Sequence, residues 1–116
     1  MGRDEPLRFP EFPKPAPRVV LWEAAHRPDE AAILDELTRE GYGVVRYRQE
    51  PAAGYGPHAH VYPETMWVVE GSLTILLTSE ARMIELLPGD RIDIPQGVAH
   101  GVIAGVEGAV YLLATK

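Results

Sequence analysis

From Gly43 to its end the chain is a series of short β-prone runs cut by glycine and proline. The runs are Val44–Glu50, His58–Tyr62, Glu64–Glu70, Ser72–Ser79, Arg82–Leu87, Arg91–Ile94, His100–Ala104 and Ala109–Thr115. In the fourth, Leu73, Ile75 and Leu77 alternate with Ser72, Thr74 and Thr78, the period of a half-buried strand. Pro63 breaks one run because proline donates nothing to a ladder. Gly71 is predicted to be a tight hairpin turn, Pro88-Gly89-Asp90 a second turn, and Gly105 and Gly108 the joint between the last two strands. Many short strands with this punctuation predict an all-β sandwich or small barrel.

At 116 residues the chain has room for one core, and 46% hydrophobic with 24% charged residues is ordinary globular composition. The N-terminal stretch 1–18 carries Pro6, Pro10, Pro13, Pro15 and Pro17 and reads as an extended proline-rich arm, with Phe9 and Phe12 as anchors. The domain proper is expected over 19–116, starting with a short strand at Val19–Trp22. One helix is predicted, from about Pro28 to Glu40. Pro28 suits the first helical position, Asp29 and Glu30 suit the positive end of the dipole, and Gly41 suits a left-handed stop. Ile33, Leu34 and Leu37 give it one apolar stripe, and Asp35 can pair with Arg39.

The chemistry-bearing residues cluster. His58 and His60 are two positions apart on an expected strand, which aims both imidazoles at one face. Glu64 lies across the Pro63 turn, where a neighbouring strand can aim its carboxylate at the same point. His100 follows a second glycine- and proline-marked stretch, GDRIDIPQGVAH. Three nitrogens and an oxygen suit one borderline divalent ion: iron, manganese, nickel, zinc or copper. A six-coordinate ion held by four side chains keeps positions for water, oxygen or substrate. The fourth histidine, His26, stands apart before the helix.

The arrangement Gly54, His58-Ala59-His60, Glu64, Gly71 resembles the first motif of the cupin superfamily, although Gly54 is one residue nearer the histidine pair than usual. Gly89, Pro95, Gly97 and His100 resemble the second motif, with Ala104 where an asparagine is often found. The resemblance implies a double-stranded β-helix, or jelly-roll barrel, preceded by one helix. It implies one divalent metal ion per chain on His58, His60, Glu64 and His100. It also implies a homodimer, as in other small members of the superfamily.

Alternation carries the reading further. If Glu64 faces inward, Met66 and Val68 share its face and line the cavity, while Trp67 faces a second packing layer or a subunit contact. From His100, Val102 and Ala104 also point inward. Tyr47, Tyr55 and Tyr62 can reach a bound ligand through their hydroxyls, though ordinary strand aromatics are the simpler reading. Arg46 and Arg48 read as a solvated face, and Asp90, Arg91 and Asp93 as turn and surface charges.

Charge and cysteine count exclude several classes. With 17 acidic against 11 basic residues the net charge is −6 and no basic run is present, so neither nucleic acid nor an anionic membrane is an expected partner. No cysteine is present, which removes disulfides and thiolate metal sites. The N-terminal residues lack the apolar core of a signal peptide, and a cytoplasmic protein is expected. The absence of asparagine and the excess of arginine over lysine point to a thermophilic or GC-rich source. The functional expectation is a metal-dependent enzyme for a small organic molecule, by oxygenation, isomerisation or decarboxylation. The alternatives are a non-catalytic binding or sensing module with the same metal, and a purely structural ion.

Overall fold

The computed structural model describes residues 16–116, so the predicted proline arm lies almost wholly outside the described residues. The elements run β1 (Arg18–Val20), α1 (Glu30–Arg39), β2 (Gly43–Gln49), β3 (Gly54–His58), β4 (Glu64–Leu77), β5 (Arg82–Leu86), β6 (Arg91–Ile94) and β7 (His100–Thr115), with a single 3₁₀ turn at Thr78–Glu80. All pairings are antiparallel, in the order β1-β6-β4-β7-β2, with β3 added to β7 and β5 to β4. The fold is the all-β jelly roll with one helix.

Its spine is the pair β4 and β7, and here the expected boundaries change. Gly71 is no hairpin: β4 runs through it without a break, and β7 likewise runs through Gly105 and Gly108. The two strands stay in register from Glu64 opposite Thr115 to Leu76 opposite Gly101, with irregularities between Val68 and Glu70 and between Gly71 and Leu73. Gly71 and Gly108 have φ of +72° and +78°, and a Cβ on Gly71 would run into the Gly108 carbonyl. The two glycines therefore make one corner, where both strands bend together and pass from one half of the roll to the other.

The helix is shorter than expected. Pro28 precedes the cap rather than opening the helix, and the Asp29 side chain caps it by accepting from the Ala31 amide at 3.0 Å. Gly41 stops it at φ +91°. Asp35 and Arg39 pair at 3.2 Å on the exposed face. Ile33 and Leu37 are buried, but Leu34 is 44% exposed and leaves the expected stripe. The helix packs on Trp67, Leu112 and Ala114, which form a core distinct from the one inside the roll. Trp67 is therefore in a second packing layer; its indole N–H donates to the Gly89 carbonyl at 2.8 Å.

Two other expectations need correction. The first strand ends at Val20, and the Trp22 amide instead donates to the Asp90 carboxylate at 2.8 Å. Asp90 also accepts from the Leu87 amide, which closes the Pro88-Gly89 turn. Asp90 and Arg91 are thus buried rather than surface charges. Arg91 grips Glu40 with two nitrogens at 2.8 and 3.0 Å, bonds Asp93 at 2.7 Å, and lies over the Trp67 ring. This knot ties the helix end to β6.

Candidate metal centre

β3 is offset from its predicted position. It ends at His58, so His60 follows the strand instead of sharing it. The two histidines are still brought side by side, with ring centroids 4.4 Å apart. The second motif holds the loop: the Gly97 amide donates to the His60 carbonyl at 2.7 Å, from the turn that precedes His100. His58 faces His100 across the β3–β7 ladder, with ring centroids 4.6 Å apart. Glu64 is the first residue of β4, between Ile94 of β6 and Thr115 of β7.

All four residues singled out in the sequence therefore meet. One ring nitrogen from each of His58, His60 and His100 lies within 4.8 Å of the other two. The Glu64 carboxylate reaches His60 Nε2 at 3.2 Å with one oxygen and His100 Nε2 at 3.1 Å with the other. His100 and Glu64 are only 1% and 3% exposed. His26 is elsewhere, its ring edge-on to Trp22.

The hydrogen bonds assign the tautomers. His100 Nδ1 lies 3.0 Å from the Val98 carbonyl, and His58 Nδ1 lies 3.3 Å from the Gly56 carbonyl. A carbonyl only accepts, so in each ring Nδ1 carries a proton. The neutral His100 ring then turns the Nε2 lone pair toward the carboxylate of Glu64. Two lone pairs facing each other in a buried site need a positive charge between them, a proton or a metal ion. In the metal-free protein a proton serves. Burial disfavours the His100 imidazolium, but the hydrogen bonds to Glu64 and Val98 and the carboxylate charge outweigh it and raise its pKa above the ordinary histidine value.

Beside the cluster a cavity of about 490 Å³ opens to the surface. Its lining includes His58, His60 and Glu64 together with Tyr47, Tyr55 and Tyr62, and adds Tyr111, Leu113 and Thr115 from β7. The last three were missed in the sequence. Their signal was the alternation Tyr111, Leu113, Thr115, whose facing only the β2–β7 and β4–β7 registers set. Met66, Val68, Val102 and Ala104 do not line the cavity; they pack into the hydrophobic core. The Tyr111 hydroxyl donates to Gln49 Oε1 at 2.6 Å, and its ring stacks on Tyr47 at 5.8 Å. Burial pushes the Tyr111 hydroxyl up to about 12 and also raises that of Tyr55, so both phenols are neutral near pH 7. Among the described residues the lining holds no lysine or arginine. Arg46, on β2, is held outside by Glu30 at 3.0 Å.

An antiparallel jelly roll with a histidine–carboxylate cluster beside an open cavity defines a class of protein. The profile of the Cupin family matches residues 30–116, and the chain belongs to the cupin family. No curated protein matches it. Among solved structures it is similar to a cupin-2 domain containing protein from Shewanella frigidimarina, at a TM-score of 0.55 and 27% identity over 63% of this chain and 68% of that one. It is similar to oxalate decarboxylase from Bacillus subtilis, at 0.58 and 27% over 65% of this chain but only 21% of that one. It is also similar to the polyketide cyclase RemF from Streptomyces resistomycificus, at 0.57 and 28% over 67% and 57% of the two chains. No helix among the described residues is long and apolar enough to cross a membrane.

Proposed function

We propose that this cupin is a metal-dependent enzyme acting on a small organic molecule, with one divalent ion on His58, His60, Glu64 and His100. The observation that carries the reading is the buried His100–Glu64 contact, 3.1 Å from nitrogen to oxygen, with Nδ1 already committed to a carbonyl. A donor set of imidazole nitrogens and one carboxylate fits manganese, iron, nickel, zinc or copper. The similar Bacillus subtilis oxalate decarboxylase has Mn(II) centres, which agrees with that range.

When bound, such an ion supplies Lewis-acid or redox activation of an oxygen-bearing substrate, which covers oxygenation, isomerisation and decarboxylation. The chain's own residues do the rest. The Val98 and Gly56 carbonyls orient His100 and His58 and keep their Nε2 atoms available. Among the described residues Glu64 contributes the one negative charge of the lining. The cavity admits the substrate from the side where His60 is partly exposed.

A binding or sensing module would use the same residues. The open cavity beside the cluster favours the enzyme over a purely structural ion, which would need no access. Elemental analysis of tag-free protein, followed by a turnover screen with the native metal restored, separates the readings. Stoichiometric metal with turnover supports the enzyme; a tightly held ligand with no turnover supports the sensing module; protein that takes up no divalent metal sinks both.

We also propose that the protein is cytoplasmic and forms a homodimer. Val45, Met83 and Val106 are large apolar side chains left exposed on one copy. Light scattering that returns the monomer mass removes the dimer.

A further inference from the structure

We infer that the cavity takes a planar aromatic molecule bearing a single acidic oxygen, a phenol or an enol, held between tyrosine faces with that oxygen toward the histidine cluster. The inference rests on the metal site proposed above and names the substrate class for it.

Ring geometry is the first support. Four tyrosines line the one cavity. Tyr47 and Tyr111 stack 15° from parallel, and Tyr62 stacks on His60 at 4.8 Å and 12°. Two flat aromatic pairs thus border the same space. Tyr47, Tyr55 and Tyr62 keep 43%, 39% and 38% of their surface exposed, so aromatic area is left uncovered for a ligand. Offset stacking against such rings rewards a flat π-system over a saturated one of equal size.

Charge is the second support. Among the described residues the lining supplies one carboxylate, Glu64, and no lysine or arginine. A divalent ion with one carboxylate leaves the centre at a net single positive charge. One anionic oxygen neutralises it, whereas the second charge of a dicarboxylate or phosphate finds no partner and is repelled by desolvation. A quaternary ammonium would suit the tyrosine faces alone, but the ion's remaining charge opposes it.

Calorimetric titration of the metal-loaded protein with four probes tests the inference: 2-naphthol, decahydro-2-naphthol, malonate and tetramethylammonium. The expected order places 2-naphthol at least about tenfold tighter than its saturated counterpart and than either ion, as summed stacking terms predict. Tyr47→Leu should weaken 2-naphthol about 2- to 10-fold while Tyr47→Phe keeps it, since the ring and not the hydroxyl does the stacking. Metal content, measured on each variant, should stay stoichiometric. Equal binding of the flat and saturated alcohols, tighter malonate or tetramethylammonium, or an unaffected Tyr47→Leu overturns the substrate class while leaving the metal site standing. Failure of the wild-type protein to load metal overturns the metal reading instead.

Discussion

His100 Nε2 lies 3.1 Å from Glu64 Oε1, and both side chains are almost wholly enclosed. The pair joins the second strand-end motif to the first, across β7 and β4. A buried imidazole and a buried carboxylate at this distance share a positive charge, and which charge they share depends on metal and on pH.

Metal uptake must displace the His100 proton, so affinity should rise with pH through the histidine range and fall in acid. His60→Ala and His100→Ala should each lower metal occupancy by about tenfold or more at micromolar metal, since each removes one of a small set of donors. Inductively coupled plasma analysis of dialysed protein checks both. Two variants that keep full occupancy would place the metal elsewhere.

The metal-free protein should show the opposite slope. His100 has a folded pKa raised above its ordinary value of 6.5. Its charged pairing with Glu64 is therefore fully present below about pH 6.5 and is lost as pH rises through the folded pKa. Thermal melts in chelator should show wild type ahead of Glu64→Gln at about pH 6, with the gap narrowing toward pH 9. A gap that widens with pH would refute the assigned charge state.

Glu40 titrates the other way. Its hydrogen bonds with Arg91 hold its pKa below the ordinary 4.5. The stability it contributes is complete above that value and disappears as pH falls through the folded pKa. Because Glu40 is partly open to solvent, Glu40→Gln should cost only about 1 kcal/mol at pH 7. Urea melts should find the difference gone in acid; a loss that persists there would mean packing, not charge, held the contact.

Gly71→Ala should be among the most damaging single changes. The position has φ +72° and its Cβ would meet the Gly108 carbonyl. Left-handed strain alone costs on the order of 1–3 kcal/mol, and the clash at the corner adds to it. A melting temperature within a degree or two of wild type would show that the β4–β7 corner can relax.

Leu37→Ala offers a contrast. Leu37 is fully buried under α1 against Trp67 and Leu112, away from the cavity. The expected loss is about 2–5 kcal/mol of stability, with metal content unchanged. Loss of metal in a folded Leu37→Ala protein would reveal that the helix supports the centre.

The candidate site was largely legible from spacing. His58, His60, Glu64 and His100 could be singled out because side-chain chemistry and local glycine and proline positions mark them in one dimension. His60 is not on the strand with His58, as strand spacing predicts, and the Gly97–His60 hydrogen bond places it instead. The cavity wall was less legible. Tyr47, Tyr55 and Tyr62 line it, whereas Met66, Val68, Val102 and Ala104 went to the core and Tyr111 was overlooked. Alternation says which residues share a face of a straight strand. It holds from Glu64 to Val68 and from His100 to Ala104, where the β4–β7 register is unbroken, but it says nothing of depth: whether an inward side chain meets the open cavity or the packed interior of the roll is set by the strands opposite it.

By itself the sequence determined the β-rich architecture, the presence of one helix with its Gly41 stop, and the histidines and glutamate singled out as a candidate metal centre. These depend on backbone preferences and side-chain identity within a few residues. Only the tertiary structure decided that Gly71 and Gly108 form one shared corner rather than two hairpins, that Arg91 is buried between Glu40 and Trp67, and that four tyrosines border one cavity. A glycine at positive φ serves a hairpin and a bulge equally well. The choice is made by the long-range ladder between β4 and β7, whose partners lie too far apart in the chain for local preferences to register.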